Sequence, residues 1–427
     1  MSAVGSASHS TSNASSFIGL TQPTDLPILT TTDGTKTDLL PRGQITKAPE
    51  VPGFSDMPPE RQGVDFGQQD YFKIINNDTD VFTKCILCVK LDALTAGAGG
   101  SHPRYPDDVL CHAVEKIVFQ YGRDVQEISG EELHFRIIQE ETEKELARKA
   151  KLQGLGLPVA ERVQLAKAAS WYYLEIPFWW TTSNEAAYHQ YAFQRLTRVV
   201  ITWRTPEFIL QQEVANTKPT AATGGNYILD HFLRFEIRAP SQSTRDRFIQ
   251  MVKDQKDAGM LYLMGQTQHL QQQINAGAVQ HIIQLNTFTK YCYNLRFVVR
   301  PVANLQQNYL NNARFQTTDI LSCQYTITGR EYFPTTDDHF MKYEIANAMF
   351  AGNPELAVYN IPNNVDPDMH ESAVGGFQMS ATGTPQITIN TAVLPANHYV
   401  DFWAYCHNYV RMVLKDGGSI IEPVLTL

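Results

Sequence analysis

Residues 233–238 read Leu-Arg-Phe-Glu-Ile-Arg, and residues 293–299 read Tyr-Asn-Leu-Arg-Phe-Val-Val. Leu233, Phe235 and Ile237 take every second place in the first stretch, as do Tyr293, Leu295, Phe297 and Val299 in the second. Successive side chains of a strand point to opposite faces, so this period of two predicts half-buried strands. The same signal recurs on either side. It is carried by Tyr71 to Ile75, Phe82 to Leu91, Leu196 to Arg204, Leu321 to Ile327 and Gln386 to Asn390, and by a long run from Tyr399 to Leu414 that ends at Gly417-Gly418. Val109 to Tyr121 reads as one long strand with Cys111, Ala113, Glu115, Ile117 and Phe119 on one face. Ser170 to Thr181 is an aromatic strand holding Phe178, Trp179 and Trp180.

Helical signals sit between the strands. Ser129-Gly-Glu-Glu132 is a capping box that opens a helix running to Leu152. Pro158 suits the first turn of a second helix that reaches about Ala169. Ser243-Thr-Arg-Asp246 caps a helix to about Asp257, and a short one is expected from Thr336 to Phe350. Asn216 to Gly225 breaks the pattern and is the best internal boundary. These readings make the chain all-β with inserted helices, two β-sandwiches in tandem. The expected divisions are a flexible N-terminal arm at 1–62, a first sandwich at 63–218 and a second at 219–427. From Met1 to Thr24 there is no charged residue, and Pro punctuates the chain from Pro23 to Pro59, so this arm cannot offset its ordering entropy alone. Phe17, Ile18 and Leu20 are its candidate anchor on a neighbouring subunit.

The 427 residues carry 35 Lys and Arg against 44 Asp and Glu, a net charge of −9. That balance argues against broad nucleic-acid or anionic-membrane binding. Charged residues are only 19% and aromatics 11%, which points to surface hidden in sheets or subunit contacts. No apolar run is long enough to span a bilayer, and the N-terminus lacks the basic start and apolar core of a secretory signal, so a soluble protein made in the cytosol is expected. The glycosylation triplets at Asn13 and Asn77 then stay idle. Cys85, Cys88, Cys111, Cys292, Cys323 and Cys406 read as reduced, buried residues.

Chemistry is sparse. Cys85-x-x-Cys88 lies on a strand, where positions three apart face opposite sides, and has no second ligand pair. His112-x-x-Glu115 and Asp337-Asp338-His339 are the nearest approaches to a metal cluster; the first would split across a strand and the second suits a helix start. No nucleophile elbow, zinc-protease or phosphate-loop motif occurs. No catalytic residue, metal site or cofactor is therefore expected.

Two segments then carry a resemblance. The order of Cys111-His-Ala-Val-Glu-Lys-Ile-Val-Phe119, Leu174-Glu-Ile-Pro-Phe-Trp-Trp-Thr-Thr-Ser-Asn184, a helical turn at Glu185 to Phe193 and the strand Leu196 to Trp203 is similar to the first jelly roll of double jelly-roll major capsid proteins of double-stranded DNA viruses, the adenovirus-like and nucleocytoplasmic large DNA virus lineage. The run Val400 to Met412 with Lys415-Asp-Gly-Gly-Ser-Ile420 resembles that family's last strand and glycine turn. Gly375-Gly-Phe-Gln-Met-Ser380 stands where the family often has an Asn-x-Ser-Arg-like piece, marking a divergent member. The resemblance implies two tandem eight-stranded jelly-roll β-sandwiches, and a non-enzymatic capsomer in which three chains mimic a hexagon. It implies as partners the chain itself, neighbouring capsomers, minor capsid, cement and penton proteins and, where present, an internal membrane, with no sequence-specific nucleic-acid contact. It places the protein in the virion shell, assembled at viral factories. Phe178, Trp179, Trp180, Trp403, Asn408, Gly417 and Gly418 are then candidate structural and assembly residues. Competing readings are a two-domain glycan-binding protein or glycan-active enzyme using the Trp rings, and a minor capsid protein of the same lineage.

Overall fold

The computed structural model describes residues 29–30, 36–37, 50–74, 81–121, 124–181, 188–189, 197–254, 260–306, 308–310, 313–345, 357–363, 376–379, 383–415 and 418–424. Eight principal strands come first: β1 (Glu50–Met57), β2 (Gln69–Ile74), β3 (Val81–Leu91), β4 (Val114–Tyr121), β5 (Asp124–Ser129), β6 (Ser170–Glu175), β7 (Thr197–Trp203) and β8 (Ile228–Pro240). Eight more follow: β9 (Met260–Ile274), β10 (Gln280–Gln284), β11 (Tyr291–Pro301), β12 (Ser322–Ile327), β13 (Arg330–Asp337), β14 (Tyr359–Pro362), β15 (Pro385–Asn390) and β16 (His398–Lys415). A last strand, β17 (Gly418–Val424), folds back on β16.

The first eight form two sheets in the orders β6-β3-β8-β1 and β2-β7-β4-β5. The next eight form β9-β16-β11-β14 and β10-β15-β12-β13. Adding eight to each number converts the first pair of sheets into the second, so one topology is used twice. Each sandwich is a complete eight-stranded jelly roll. Both are filled from their inner faces. Phe82, Phe119, Phe178, Trp180 and Phe235 close the first core, with Phe119 and Phe178 ring centroids 4.9 Å apart. Phe297 lies between Tyr359 at 5.1 Å and Phe402 at 5.5 Å in the second. Each such ring contributes roughly 1.5–3 kcal/mol by leaving water. All six cysteines are free and buried, Cys85 in the first core and Cys88 on the opposite face of β3.

The insertions fall at the same point of each roll, between its fifth and sixth strands. In the first they are α2 (Gly130–Glu140), α3 (Glu143–Gln153) and α4 (Val159–Leu165), and α1 (Val109–Ala113) precedes β4. In the second a single turn, α6 (Asp338–Phe340), continues as a π-turn to Ile345. The rolls are connected by α5 (Gln242–Asp254).

Several expectations change. The first roll begins before residue 63: Glu50–Met57 pairs with β8 as an edge strand, so the arm is shorter than 1–62. Its boundary is not at 218/219 either, because β8 pairs with β3 inside the first roll and the division falls around α5. Asn216 to Gly225 is a loop within that roll. Val109–Ala113 is helix, not strand; every side chain there is buried, so alternation could not separate the two, and His112 does not share a strand with Glu115. The helix from Ser129 is broken at Glu141-Thr142, where Thr142 accepts from the Glu145 N–H and starts α3. The strand from Ser170 stops at Glu175 and gives way to a 3₁₀ turn at Trp179–Thr181. Ser241, not Ser243, caps α5. Residues 336–337 are strand, and Asp337 caps α6. Of the expected turn at Glu185 to Phe193, only Tyr188–His189 are described, and they pair with β3 as strand.

Candidate functional site

The helix α2 is where the two rolls meet. Its start follows from the capping box: Ser129 Oγ accepts from the Glu132 N–H at 3.1 Å. Gly130 opens it against α1, and a Cβ there would lie 2.2 Å from the Cys111 carbonyl oxygen and 2.3 Å from that of Val114. With its first turn seated on α1, the helix presents Phe135 to the outer face of the β9-β16-β11-β14 sheet. There it meets Trp403 at 5.7 Å and shares a small buried cluster with Tyr293, Val298, Val358 and Tyr405.

Polar contacts frame that cluster. Arg296, fully buried on β11, donates to Glu140 Oε1 at 2.8 Å and to the Tyr405 hydroxyl at 2.8 Å. Burial would raise the Glu140 carboxyl, but Arg136 and Arg296 hold it down to about 2. Glu131 takes Arg204 of its own roll at 2.5 Å and Arg314 of the other at 2.7 Å. Burial opposes its charge, and these two guanidinium groups still hold its carboxyl well below the usual range. Glu132 differs. Burial pushes it up to about 7, against the stabilising hydrogen bond that Thr267 Oγ1 donates at 2.8 Å. Phe315 from the second roll enters between His134 at 3.8 Å and His112 at 3.9 Å. His134 Nδ1 lies 2.7 Å from Asp108 Oδ2, and burial keeps His112 well below its ordinary value and neutral. Gln266 donates from β9 to the Val125 carbonyl of β5 at 3.2 Å, and Gln139 donates to the Val358 carbonyl at 3.2 Å. The joint fixes one roll against the other with an apolar centre and a charged rim.

Of the residues singled out from sequence, Trp403 lies in this joint and is 1% exposed. Phe178, Trp179 and Trp180 are buried inside the first roll, so they offer no stacking platform for a sugar. Asn408 sits in β16 opposite Met264, and Gly418 opens β17. Phe17, Ile18, Leu20 and Gly417 lie outside the described residues. A cavity of about 510 Å³ beside α2 and α3 has four acids, Glu140, Glu141, Glu145 and Glu175, in its wall. Each is paired with an Arg or Lys, and no aromatic ring lines it, which is poor equipment for glycan chemistry. Among the described residues no group of three or more His, Cys, Asp or Glu could hold a metal ion. Sequence reasoning missed the joint itself; α2's capping box was visible, but not what its far face touches.

No family profile matches the sequence, and no curated protein matches it. Solved structures do. VP54 of PBCV-1 superposes with a TM-score of 0.71 at 12% identity, over 89% of this chain and 98% of its own. The chain has the double jelly-roll fold. The Faustovirus major capsid protein matches with a TM-score of 0.70 at 9% identity, over 89% and 93% of the two chains. A chain of the Sputnik virophage matches at 0.54 and 10%, over 93% and 92%. These superpositions run through both rolls of the protein, not one of them.

Proposed function

We propose that the protein is a viral major capsid protein, assembling as a homotrimer whose six jelly rolls form a pseudo-hexagonal building block of an icosahedral shell. The observation that carries this reading is the doubled topology: two complete rolls of identical strand order, held at one fixed joint. A minor shell protein of one roll would not need the second. The low charge, the uncharged start of the chain and the buried rings of Trp179, Trp180 and Trp403 suit a molecule whose chemistry is contact, without catalysis. In this reading its partners are further copies of itself, neighbouring capsomers and minor capsid, cement and penton proteins, and its place is the virion, after synthesis in the host cytosol and assembly at viral factories. Negative-stain images of the purified chain test it. Six-lobed particles with a hexagonal outline are expected; isolated two-lobed particles at all concentrations would contradict it.

A further inference from the structure

The parts that make the joint inside the chain occur a second time on the molecule. In the first roll β5 runs straight into a capped helix, and Phe135, six residues past the cap Ser129, covers the outer face of the next roll's β9-β16-β11-β14 sheet. The second roll repeats the device. β13 runs into α6, Asp337 accepts from the Phe340 N–H at 3.0 Å, and six residues past this cap stands Tyr343. Here the apolar side chains at the corner stay open to solvent: Tyr343 is 36% exposed, Phe340 49%, and Leu321, whose carbonyl accepts from the Asp338 N–H, 59%. The receiving face is duplicated as well. On the first roll the outer face of β6-β3-β8-β1 carries Trp171, Tyr173, Phe232, Arg234 and Phe54. Trp171 meets Phe232 edge-on at 5.5 Å and Tyr173 at 6.3 Å. Arg234 spans Phe232 and Phe54 at 5.2 and 5.9 Å and is held there by a two-toothed pair with Asp56 at 2.7 Å. Trp171, Tyr173 and Phe232 touch one another, Arg234 ties Phe54 to them, and Phe54 is 68% exposed. Trp, Tyr and Arg are the side chains that anchor protein interfaces.

We infer that the β13–α6 corner of one chain, through Leu321, Phe340 and Tyr343, docks on the Trp171–Phe232–Arg234 face of a second copy, repeating the α2 joint from chain to chain. The inference rests on the capsomer reading. A corner on one roll and a face on the other make a head-to-tail contact, which closes into a ring when the rotation per chain permits. The repeat also pairs the edge strands: β5 lies against β9 within the chain, and β13, exposed along most of its length, would lie against β1 of the neighbour.

The test uses the full chain. Tyr343→Asp and Phe232→Asp should each weaken self-association about tenfold or more in a dilution series followed by light scattering, with the circular dichroism spectrum unchanged. Ile282→Asp, at a side chain that is 57% exposed but on the outer face of β10 away from the corner, should not. Phe232→Cys with Tyr343→Cys in one chain should give disulfide-linked dimers and trimers under mild oxidation, and neither single variant should. This second measurement stands even if an aspartate variant fails to fold. Oligomers that dissociate like wild type in both aspartate variants, or that give no cross-link from the double cysteine, would overturn this docking and leave the capsomer reading standing. A wild-type chain that stays monomeric would overturn both.

Discussion

Trp403 shows how one side chain can be structural at the level of the whole molecule. Its ring stacks on His269 at 5.3 Å and meets Phe135 from the other roll at 5.7 Å. Trp403→Ala should cost about 3–5 kcal/mol in chemical unfolding, since neither side of the joint can collapse into the gap. A denaturation midpoint equal to wild type would show the ring is not holding the rolls. Glu132 gives the joint a pH dependence of known sign. Its folded carboxyl titrates at about 7, against 4.5 when exposed, so the folded state holds a proton that the unfolded chain has released. Stability from this group is present below pH 4.5 and is lost as pH rises to 7, by a span on the order of 3 kcal/mol. Glu132→Gln should remove that loss, so its unfolding free energy relative to wild type should rise between pH 4.5 and 8. Glu140, held down to about 2, acts oppositely: its contribution is present above 4.5 and fades as pH falls towards 2.

The element on which most depends is α2. Gly130→Ala should cost about 1–3 kcal/mol, because the added carbon meets two backbone carbonyls of α1 and β4 that cannot rotate away. Glu131→Ala should cost about 3–5 kcal/mol by leaving Arg204 and Arg314 buried without their shared anion. Both can be read from urea unfolding at fixed protein concentration. Leu233 to Arg238 alternates cleanly and is legible because one face is core; in Tyr293 to Val299 the joint buries the outer face as well, and the irregularity between Cys292 and Asn294 puts Tyr293 in the outer cluster with Val298, away from Leu295, Phe297 and Val299. Met260–Ile274 is not legible as a strand: it is Gln-rich and forms an edge of its sheet beside β16, so its sequence carries little alternation. Thr142-x-x-Glu145 is itself a capping signal, and giving it weight would have divided α2 from α3.

At the scale of the whole molecule, the pattern of strands and inserted helices made the doubled sandwich legible, while its boundary was misplaced. Gly, Pro and Thr mark a loop at 216–225 whether it joins two domains or two strands of one, and only the pairing of β8 with β3 decides. The joint was illegible for a different reason: Phe135 and Trp403 are distant in sequence and both read simply as core. On the capsomer reading, two rolls on one chain are completed by copies of themselves. The most direct measurement is the mass of the purified chain by size exclusion with light scattering. The expected result is a species near three times 48.1 kDa, about 144 kDa, that persists on dilution and in salt. A well-folded species of 48.1 kDa at every concentration would contradict it.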